Sequence, residues 1–191
     1  MYWEITMDLD ITNMEFWVQA ISIFAMTFQI IAFQFRKNTT YLILQGTGGI
    51  AFAVSFFLMG PSGYSSALIN TVGVAKSFTF AHHNKKMFQR VFLILFICLY
   101  IAVTVAVTVI TGKFEWISYL ILLAQIVGTV AIWTDSARII RITQLVFISP
   151  VWITNCIINF SLGGILCHVF IIISIFISIL RFGWDGLDNK K

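Results

Sequence analysis

The sequence predicts an all-helical integral membrane protein, on the basis of its composition, its apolar runs and the positions of its charges. Of the 191 residues, 59% are hydrophobic and 10% are charged, whereas a soluble domain is about a quarter charged. The apolar runs are about 20 residues long, which is the length that crosses a hydrocarbon core. They lack the alternating pattern of β-barrel strands, so each run is predicted to be a helix.

Seven such runs follow one another with short linkers, so residues 1–191 are predicted to form a single transmembrane domain. No linker is long enough to hold a soluble domain. The predicted spans are approximately 16–35, 41–59, 64–81, 91–110, 116–133, 139–160 and 163–180.

The charges between the spans predict the orientation of the chain. The basic residues that follow odd-numbered spans are Arg36, Lys37, Lys85, Lys86, Arg90, Arg138, Arg141, Arg181, Lys190 and Lys191. The opposite side carries Lys113 together with the acidic residues Glu4, Asp8, Asp10, Glu15 and Glu115. Because cytoplasmic loops are enriched in Lys and Arg, the N-terminus is predicted outside and the C-terminus inside.

A weak internal repeat divides the spans into two groups of three. A shift of 99 residues places Trp17 on Trp116 and Gln45 on Gln144. The shift maps spans one to three onto spans five to seven, as in a parallel repeat. The fourth span has no Asn, Gln, His or charge, which fits a linker helix facing lipid. We therefore predict a 3+1+3 arrangement with a first bundle at 16–83, a linker helix at 91–110 and a second bundle at 116–182.

The third span carries a stripe of small and polar residues, Ser66, Asn70, Gly73 and Ser77, which share one helical face. In lipid, such a stripe belongs against another helix or a cavity. Lys76 lies one residue off the stripe. Its long side chain either extends to the cytoplasmic interface or points into the protein, and the sequence leaves both alternatives open.

Other polar residues inside the spans are candidates for a pocket at the midplane between the two bundles. Each is expected either to contact a solute or to form a hydrogen bond between helices. The substrate-binding candidates are Asn70, Gln45, Gln144, Trp152, Asn155 and His168. Pro150 removes a backbone hydrogen bond, so we expect the sixth span to break at Ser149-Pro150 and to hinge there.

Several chemistries are disfavoured by what the sequence lacks. No span has Asp or Glu between its ends, and the chain has no Gly-rich nucleotide loop and no cluster with metal-ligand spacing. The three cysteines lie inside apolar runs and are expected to be packed thiols. We therefore predict no enzyme, catalytic residue, metal site, cofactor or nucleic-acid partner. The expected partners are the lipid bilayer and a small polar solute, and the oligomeric state stays open.

The chain resembles the YgjV family of bacterial inner membrane proteins over most of residues 16–182. The resemblance rests on Ser55–Gly60, on Asn70, and on the run from Trp152 through Ser161-Leu162-Gly163-Gly164 to Arg181-Phe182. It departs at Val74-Ala75-Lys76, where the family is expected to have an arginine close after the Asn. The resemblance implies a multi-pass protein of the bacterial inner (plasma) membrane.

The 3+1+3 topology is also similar to that of the SWEET sugar transporters and the nicotinamide-riboside transporters. This similarity implies a solute path between two triple-helix bundles. Neutral hydrogen-bonding groups favour an uncharged solute resembling a sugar or a nucleoside, and the lack of embedded carboxylates favours passive flow. The alternative is a non-transporting partner in membrane assembly or stress response. A water-sized midplane cavity favours the first hypothesis, and a closed bundle with paired amides favours the second.

The predicted orientation can be tested by thiol labelling of single cysteines placed in a variant that lacks Cys98, Cys156 and Cys167. Cysteines at Gly63 and Lys113 are expected to react with an impermeant reagent added to intact cells. Cysteines at Asn38, Asn84 and Ser136 are expected to react only after the membrane is opened. Labelling of the second set in intact cells would reverse the orientation.

Overall fold

The computed structural model describes residues 14–60, 63–82, 86–112, 116–158 and 162–188. Their helices are α1 Met14–Ala32, α2 Asn38–Leu58, α3 Tyr64–His82, α4 Lys86–Thr111, α5 Trp116–Trp133, α6 Ala137–Ile158 and α7 Leu162–Phe182. A 3₁₀ turn at Asp185–Leu187 follows α7. The described residues contain no β-strand, as the apolar runs predicted. Several charged residues used to predict the orientation lie outside the described residues, namely Glu4, Asp8, Asp10, Lys85, Lys113, Glu115, Lys190 and Lys191. Glu15 belongs to α1, but its side chain is not among those described.

Five of these helices are long and apolar enough to cross a membrane by length and composition, namely α2, α4, α5, α6 and α7. The apolar part of α1 is shorter, at Phe16–Ala32. The third helix is full length but less apolar, because Asn70, Lys76 and several small polar residues reduce its hydropathy. Each of the seven predicted spans therefore contains a helix, and five of these helices have the length and composition of a membrane span.

Six helices pack as a closed ring. The packing order is α1 on α2, α2 on α3, α3 on α5, α5 on α6, α6 on α7, and α7 back on α1. The fourth helix lies outside this ring and packs on α3 and α5. Only 17% of its apolar window is buried, against 33–44% for the other four long apolar helices. It therefore occupies the peripheral position expected of a linker helix, although its buried face carries Tyr100 and Thr104.

Glycines on α2 allow α1 and α3 to approach it closely from two sides. A Cβ atom at Gly48 would lie 3.0 Å from the carbonyl oxygen of Ala25 on α1. A Cβ atom at Gly49 would lie 2.9 Å from the Val74 side chain on α3. Small residues are used in this way where helices associate in lipid.

The seam between α1 and α7 is closed by polar contacts. Ser174 of α7 donates from its hydroxyl to the carbonyl of Ile30, at 2.8 Å. Gln34 donates from Nε2 to the Ser174 carbonyl at 3.0 Å. The first and last helices of the ring are thus joined directly.

A buried arginine ties three helices together near the basic end of the ring. Arg141 of α6 is 3% exposed. It donates from Nε to the Ser178 hydroxyl on α7 and from Nη2 to the carbonyls of Phe33 and Phe35, at 2.9 and 3.1 Å. A cation suits this position, because the carbonyls at the C-terminus of a helix carry partial negative charge.

The sixth helix does not break at Ser149-Pro150, contrary to the expectation from sequence. It continues from Ala137 to Ile158, and the turn before the proline widens into a π-helical segment at Gln144–Ile148. Such a segment changes the backbone hydrogen-bond ladder just ahead of a residue that cannot donate to it. The role of Pro150 as a hinge stays a prediction.

The segment after α7 is fastened to the start of α6. Asp188 accepts hydrogen bonds from Arg138 Nε at 2.6 Å and from the Ser136 hydroxyl at 3.0 Å, and Leu187 beside it is buried. Burial raises the pKa of the Asp188 carboxyl, but the hydrogen bonds from Arg138 and Ser136 outweigh it, so the pKa lies below its ordinary value.

Replacing Asp188 by Asn is expected to reduce the free energy of unfolding at neutral pH by about 0.2–1 kcal/mol, the usual range for a partly exposed ion pair. Because the folded pKa is lowered, the stabilisation is fully present above the unfolded value of about 3.9 and is lost as pH falls through the folded pKa. Thermal unfolding in detergent between pH 7 and pH 3 measures the difference.

Asp185→Asn is the matched control, because that side chain is 95% exposed and lies 3.4 Å from the same Arg138. It should unfold almost as the parent does. A difference between Asp188→Asn and the parent that grows on acidification would contradict the assigned sign.

A cavity enclosed by the six-helix ring

The helix ring encloses a cavity of about 110 Å³. Each of the six ring helices contributes side chains to its wall, and none of the described residues of α4 does. One water occupies about 30 Å³ of liquid, so the cavity has room for a few water molecules. It is smaller than the ~300–1,000 Å³ pockets that hold drug-sized ligands.

Five of the six substrate-binding candidates lie in this wall. They are Asn70, Gln45, Gln144, Trp152 and His168. The sixth, Asn155, is buried at 3% exposure but lies outside the wall, and Cys156 takes its place. Trp152 and Cys156 are four residues apart on α6, and both line the cavity. Asn155 precedes Cys156 by one residue, so its side chain points about 100° away from that of Cys156 around the helix.

The small and polar stripe of α3 faces the cavity through Asn70, Gly73 and Ser77. Asn70 donates from Nδ2 to the carbonyl of Ser66 on its own helix, at 2.9 Å. Ser77 likewise donates to the carbonyl of Gly73, at 2.9 Å. Both of these hydrogen bonds stay within α3, so the stripe meets the cavity and does not serve mainly as a helix contact.

Lys76 points into the protein. It is 5% exposed, and its Nζ lies 3.4 Å from Gln125 Oε1 and 3.5 Å from Thr129 Oγ1 on α5. The ammonium also lies 5.3 Å from the centroid of the Tyr100 ring, within the range of a cation–π contact. The alternative in which Lys76 extends to the cytoplasmic interface is therefore wrong.

No carboxylate among the described residues pairs with Lys76. The ion pairs of the described chain join Arg138 to Asp185 and Asp188, beyond the ends of the ring. The oxygens nearest to the ammonium are neutral amide and hydroxyl groups at the long end of hydrogen-bond distance. The cavity wall thus contains a positive charge without a negative one.

Aromatic rings and polar atoms complete the wall. Trp152 and His168 stack with nearly parallel planes, 8° apart, and their ring centroids are 6.1 Å apart. Gln45 Oε1 and His168 Nδ1 are buried and have no hydrogen-bond partner among the described residues. Buried polar atoms are usually satisfied, so these two atoms are placed to bind water or a solute.

A second, larger cavity of about 940 Å³ lies at the basic end of the ring. We call it the vestibule. Its wall carries three basic side chains and two acidic ones: Arg36, Lys37, Arg90, Asp135 and Asp188. Ile132 and Ile140 line both cavities, so they form an apolar constriction between the vestibule and the enclosed cavity.

The apolar helices, the closed ring and the polar cavity define a multi-pass helical membrane protein with an enclosed internal site. The chain belongs to the Imp-YgjV family of bacterial inner membrane proteins, whose family model matches residues 16–185. It is accordingly a multi-pass protein of the bacterial inner membrane. No curated protein and no solved structure matches the chain.

The candidates predicted from sequence did not include Lys76 and Gln125, which both line the cavity. The signal for Lys76 was present, since an ionisable residue inside a span indicates a functional site. Its position near one end of α3 concealed this, because a long side chain there can reach water. Gln125 gave no comparable signal, because a neutral amide inside a span is equally compatible with a hydrogen bond between helices.

Replacing Lys76 by Met is expected to raise the melting temperature in detergent. Met has a similar length, fills the same space and removes an unpaired buried charge, which stabilises by about 1 kcal/mol or more in comparable replacements. Scanning fluorimetry measures the shift, and Lys37→Met, on an exposed lysine, is the matched control. A lower melting temperature for Lys76→Met alone would mean that the lysine is a structural contact.

Proposed function

We propose that the protein is a passive facilitator that moves a small polar solute across the inner membrane through the enclosed cavity. The observation that carries the proposal is a cavity to which each of the six ring helices contributes at least one polar side chain, with buried polar atoms that lack partners among the described residues. Sites of this kind at the interface of two helix bundles are used by secondary transporters.

The size of the cavity restricts the solute. At about 110 Å³, the cavity fits a solute of a few heavy atoms better than the sugar or nucleoside expected from sequence. None of the cavity-lining side chains among the described residues is a carboxylate, which supports passive movement over proton coupling through an embedded acid.

The proposed path uses the predicted orientation and the 3+1+3 repeat. With the N-terminus outside, the vestibule opens to the cytoplasm, and Ile132 with Ile140 forms the gate on that side. The two bundles would rock about the cavity, and the π-helical segment beside Pro150 would absorb the bend of α6. The linker helix α4, outside the ring, would connect the bundles without entering the path.

A non-transporting assembly partner is the alternative function. In such a protein the polar side chains of the ring would pair across helices. Asn70 bonds to its own helix, and Gln45 Oε1 and His168 Nδ1 remain unpaired in the described chain. These three residues favour the solute path.

Replacing Asn70 by Leu tests the path. The larger apolar side chain is expected to fill the cavity and to reduce solute flux severalfold. The melting temperature is expected to change little, because the hydrogen bond that Asn70 loses joins it to Ser66 on its own helix. Stopped-flow light scattering from proteoliposomes, with glycerol, urea and sodium acetate as test solutes, measures the flux.

Thr71→Leu is the matched control, because Thr71 is the next residue on α3 and is exposed. It should leave flux unchanged. Unchanged flux together with a clear loss of stability in Asn70→Leu would support the assembly partner, because overpacking a helix contact costs about 1–3 kcal/mol.

A further inference from the structure

We propose that the enclosed cavity selects a small monovalent anion and that Lys76 supplies the counter-charge. This inference rests on the proposed function, because it names the class of solute that the same cavity accepts. It replaces the uncharged solute expected from sequence, an expectation that took only the neutral side chains into account.

The first argument is the charge of the wall. Lys76 is the one lysine, arginine or carboxylate among the cavity-lining residues of the described chain. Its contacts are the neutral oxygens of Gln125 and Thr129 and the face of the Tyr100 ring. A buried ammonium without a counter-charge is strongly unfavourable, and a bound anion supplies the missing charge. A single positive charge is balanced by a single negative one.

The second argument is the arrangement of hydrogen-bonding groups. Gln45, Lys76 and Gln144 lie six to seven residues inside the basic ends of α2, α3 and α6, so they lie at similar depth. Each has N–H groups that can donate to an anion, and the Gln45 side chain also forms a hydrogen bond with Tyr41. Gln144 donates to Ser149 through one of its two amide hydrogens, which leaves the other for a ligand. Trp152 and His168, further from that end, give the rest of the chamber an aromatic wall.

The third argument is the access route. The vestibule carries Arg36, Lys37 and Arg90. Of its two carboxylates, Asp188 is paired with Arg138, and Asp135 keeps its charge while it accepts a hydrogen bond from the neutral Asn38 side chain, so the basic groups of the wall outnumber the acidic ones by three to two. A cavity lined mainly by one sign of charge concentrates ions of the opposite sign. Anions are therefore concentrated next to the Ile132–Ile140 constriction, behind which Lys76 lies.

Small carboxylates and inorganic anions share this chemistry. A cavity of about 110 Å³ has room for acetate or chloride, and both present a single negative charge to the ammonium. Passive passage of either ion transfers charge, so its rate must follow the membrane potential.

The experiment uses proteoliposomes of the full chain with valinomycin and a higher potassium concentration outside than inside. Potassium then enters through valinomycin and makes the interior positive. Radiolabelled acetate and chloride are the anion probes, and glycerol is the neutral probe. The parent protein is expected to take up at least one anion, faster as the imposed potential increases. Lys76→Gln is expected to reduce that uptake by roughly tenfold or more, because charge interactions are strong away from bulk water.

Two matched variants separate the position of the charge from its presence. Arg181→Gln removes an exposed charge at the same end of the protein, outside both cavity walls, and should leave uptake unchanged. Lys76→Gln combined with Gln125→Lys moves the ammonium to the facing helix, since these side chains are 3.4 Å apart. This double variant should recover part of the anion uptake. Size-exclusion chromatography checks that each variant is folded.

The outcomes distinguish the inference from the function on which it rests. Glycerol uptake without anion uptake, or anion uptake that is equal in the parent and Lys76→Gln, overturns anion selection and leaves the facilitator intact. Absence of flux for every probe overturns the facilitator. In that case thermal unfolding in detergent tests whether the cavity binds an anion, since a ligand that binds the folded state raises the melting temperature. If sodium acetate or sodium chloride raises the melting temperature of the parent but not that of Lys76→Gln at equal ionic strength, the anion site is supported. Equal increases in the parent and in Lys76→Gln overturn it.

Discussion

The hydrocarbon core of a membrane offers no hydrogen-bond partners, and this constraint governs the arrangement of the helices. The polar residues of α3, above all Asn70 and Lys76, are costly to expose to lipid. They are sheltered when α3 turns that face toward other helices, and the six-helix ring provides the shelter on all sides. The same ring makes the internal cavity, so the low hydropathy of α3 and the presence of a site have one physical cause.

Lys76 shows how the site departs from the most stable packing. An apolar residue of similar length would satisfy the interior of the ring better than an ammonium with neutral neighbours. Residues that reduce stability in this way are commonly found at functional sites. The Arg141 cluster is a useful contrast, because that buried cation donates to the Ser178 hydroxyl and to backbone carbonyls at the end of α1. One cation completes the packing, whereas the other faces only neutral oxygens and the Tyr100 ring, which is the arrangement that the proposed anion site requires.

Much of the helical framework was predictable, because the length of each apolar run and the polar residues between the runs are local properties of the sequence. The fifth helix occupies the predicted residues 116–133, and the others begin and end within a few residues of expectation. Which way a polar side chain faces was less predictable, since that depends on the neighbouring helices. Lys76 turned inward because Gln125 and Thr129 lie across from it, and nothing near Lys76 in sequence reveals them.

The treatment of Pro150 shows a second limit. A proline inside a span removes one backbone donor wherever it lies, but whether the helix then breaks depends on the adjacent turns. Here the π-helical segment at Gln144–Ile148 precedes it and the helix continues. That widened turn contains Gln144 and Ile148, both in the cavity wall. The placement of Asn155 outside the wall likewise depends on which face of α6 its neighbours cover.

The contact between α7 and α1 has a consequence for biogenesis. Helices leave the ribosome in order, so the pair that closes the ring consists of its earliest and its last members. Until α7 is inserted, the ring of α1, α2, α3, α5 and α6 is open between α6 and α1, and the cavity that contains Lys76 has no wall on that side. The seam formed by Ile30, Gln34 and Ser174 is therefore the final step of assembly. A nascent chain that stops before α7 would present this polar cleft to the insertion machinery and to membrane proteases.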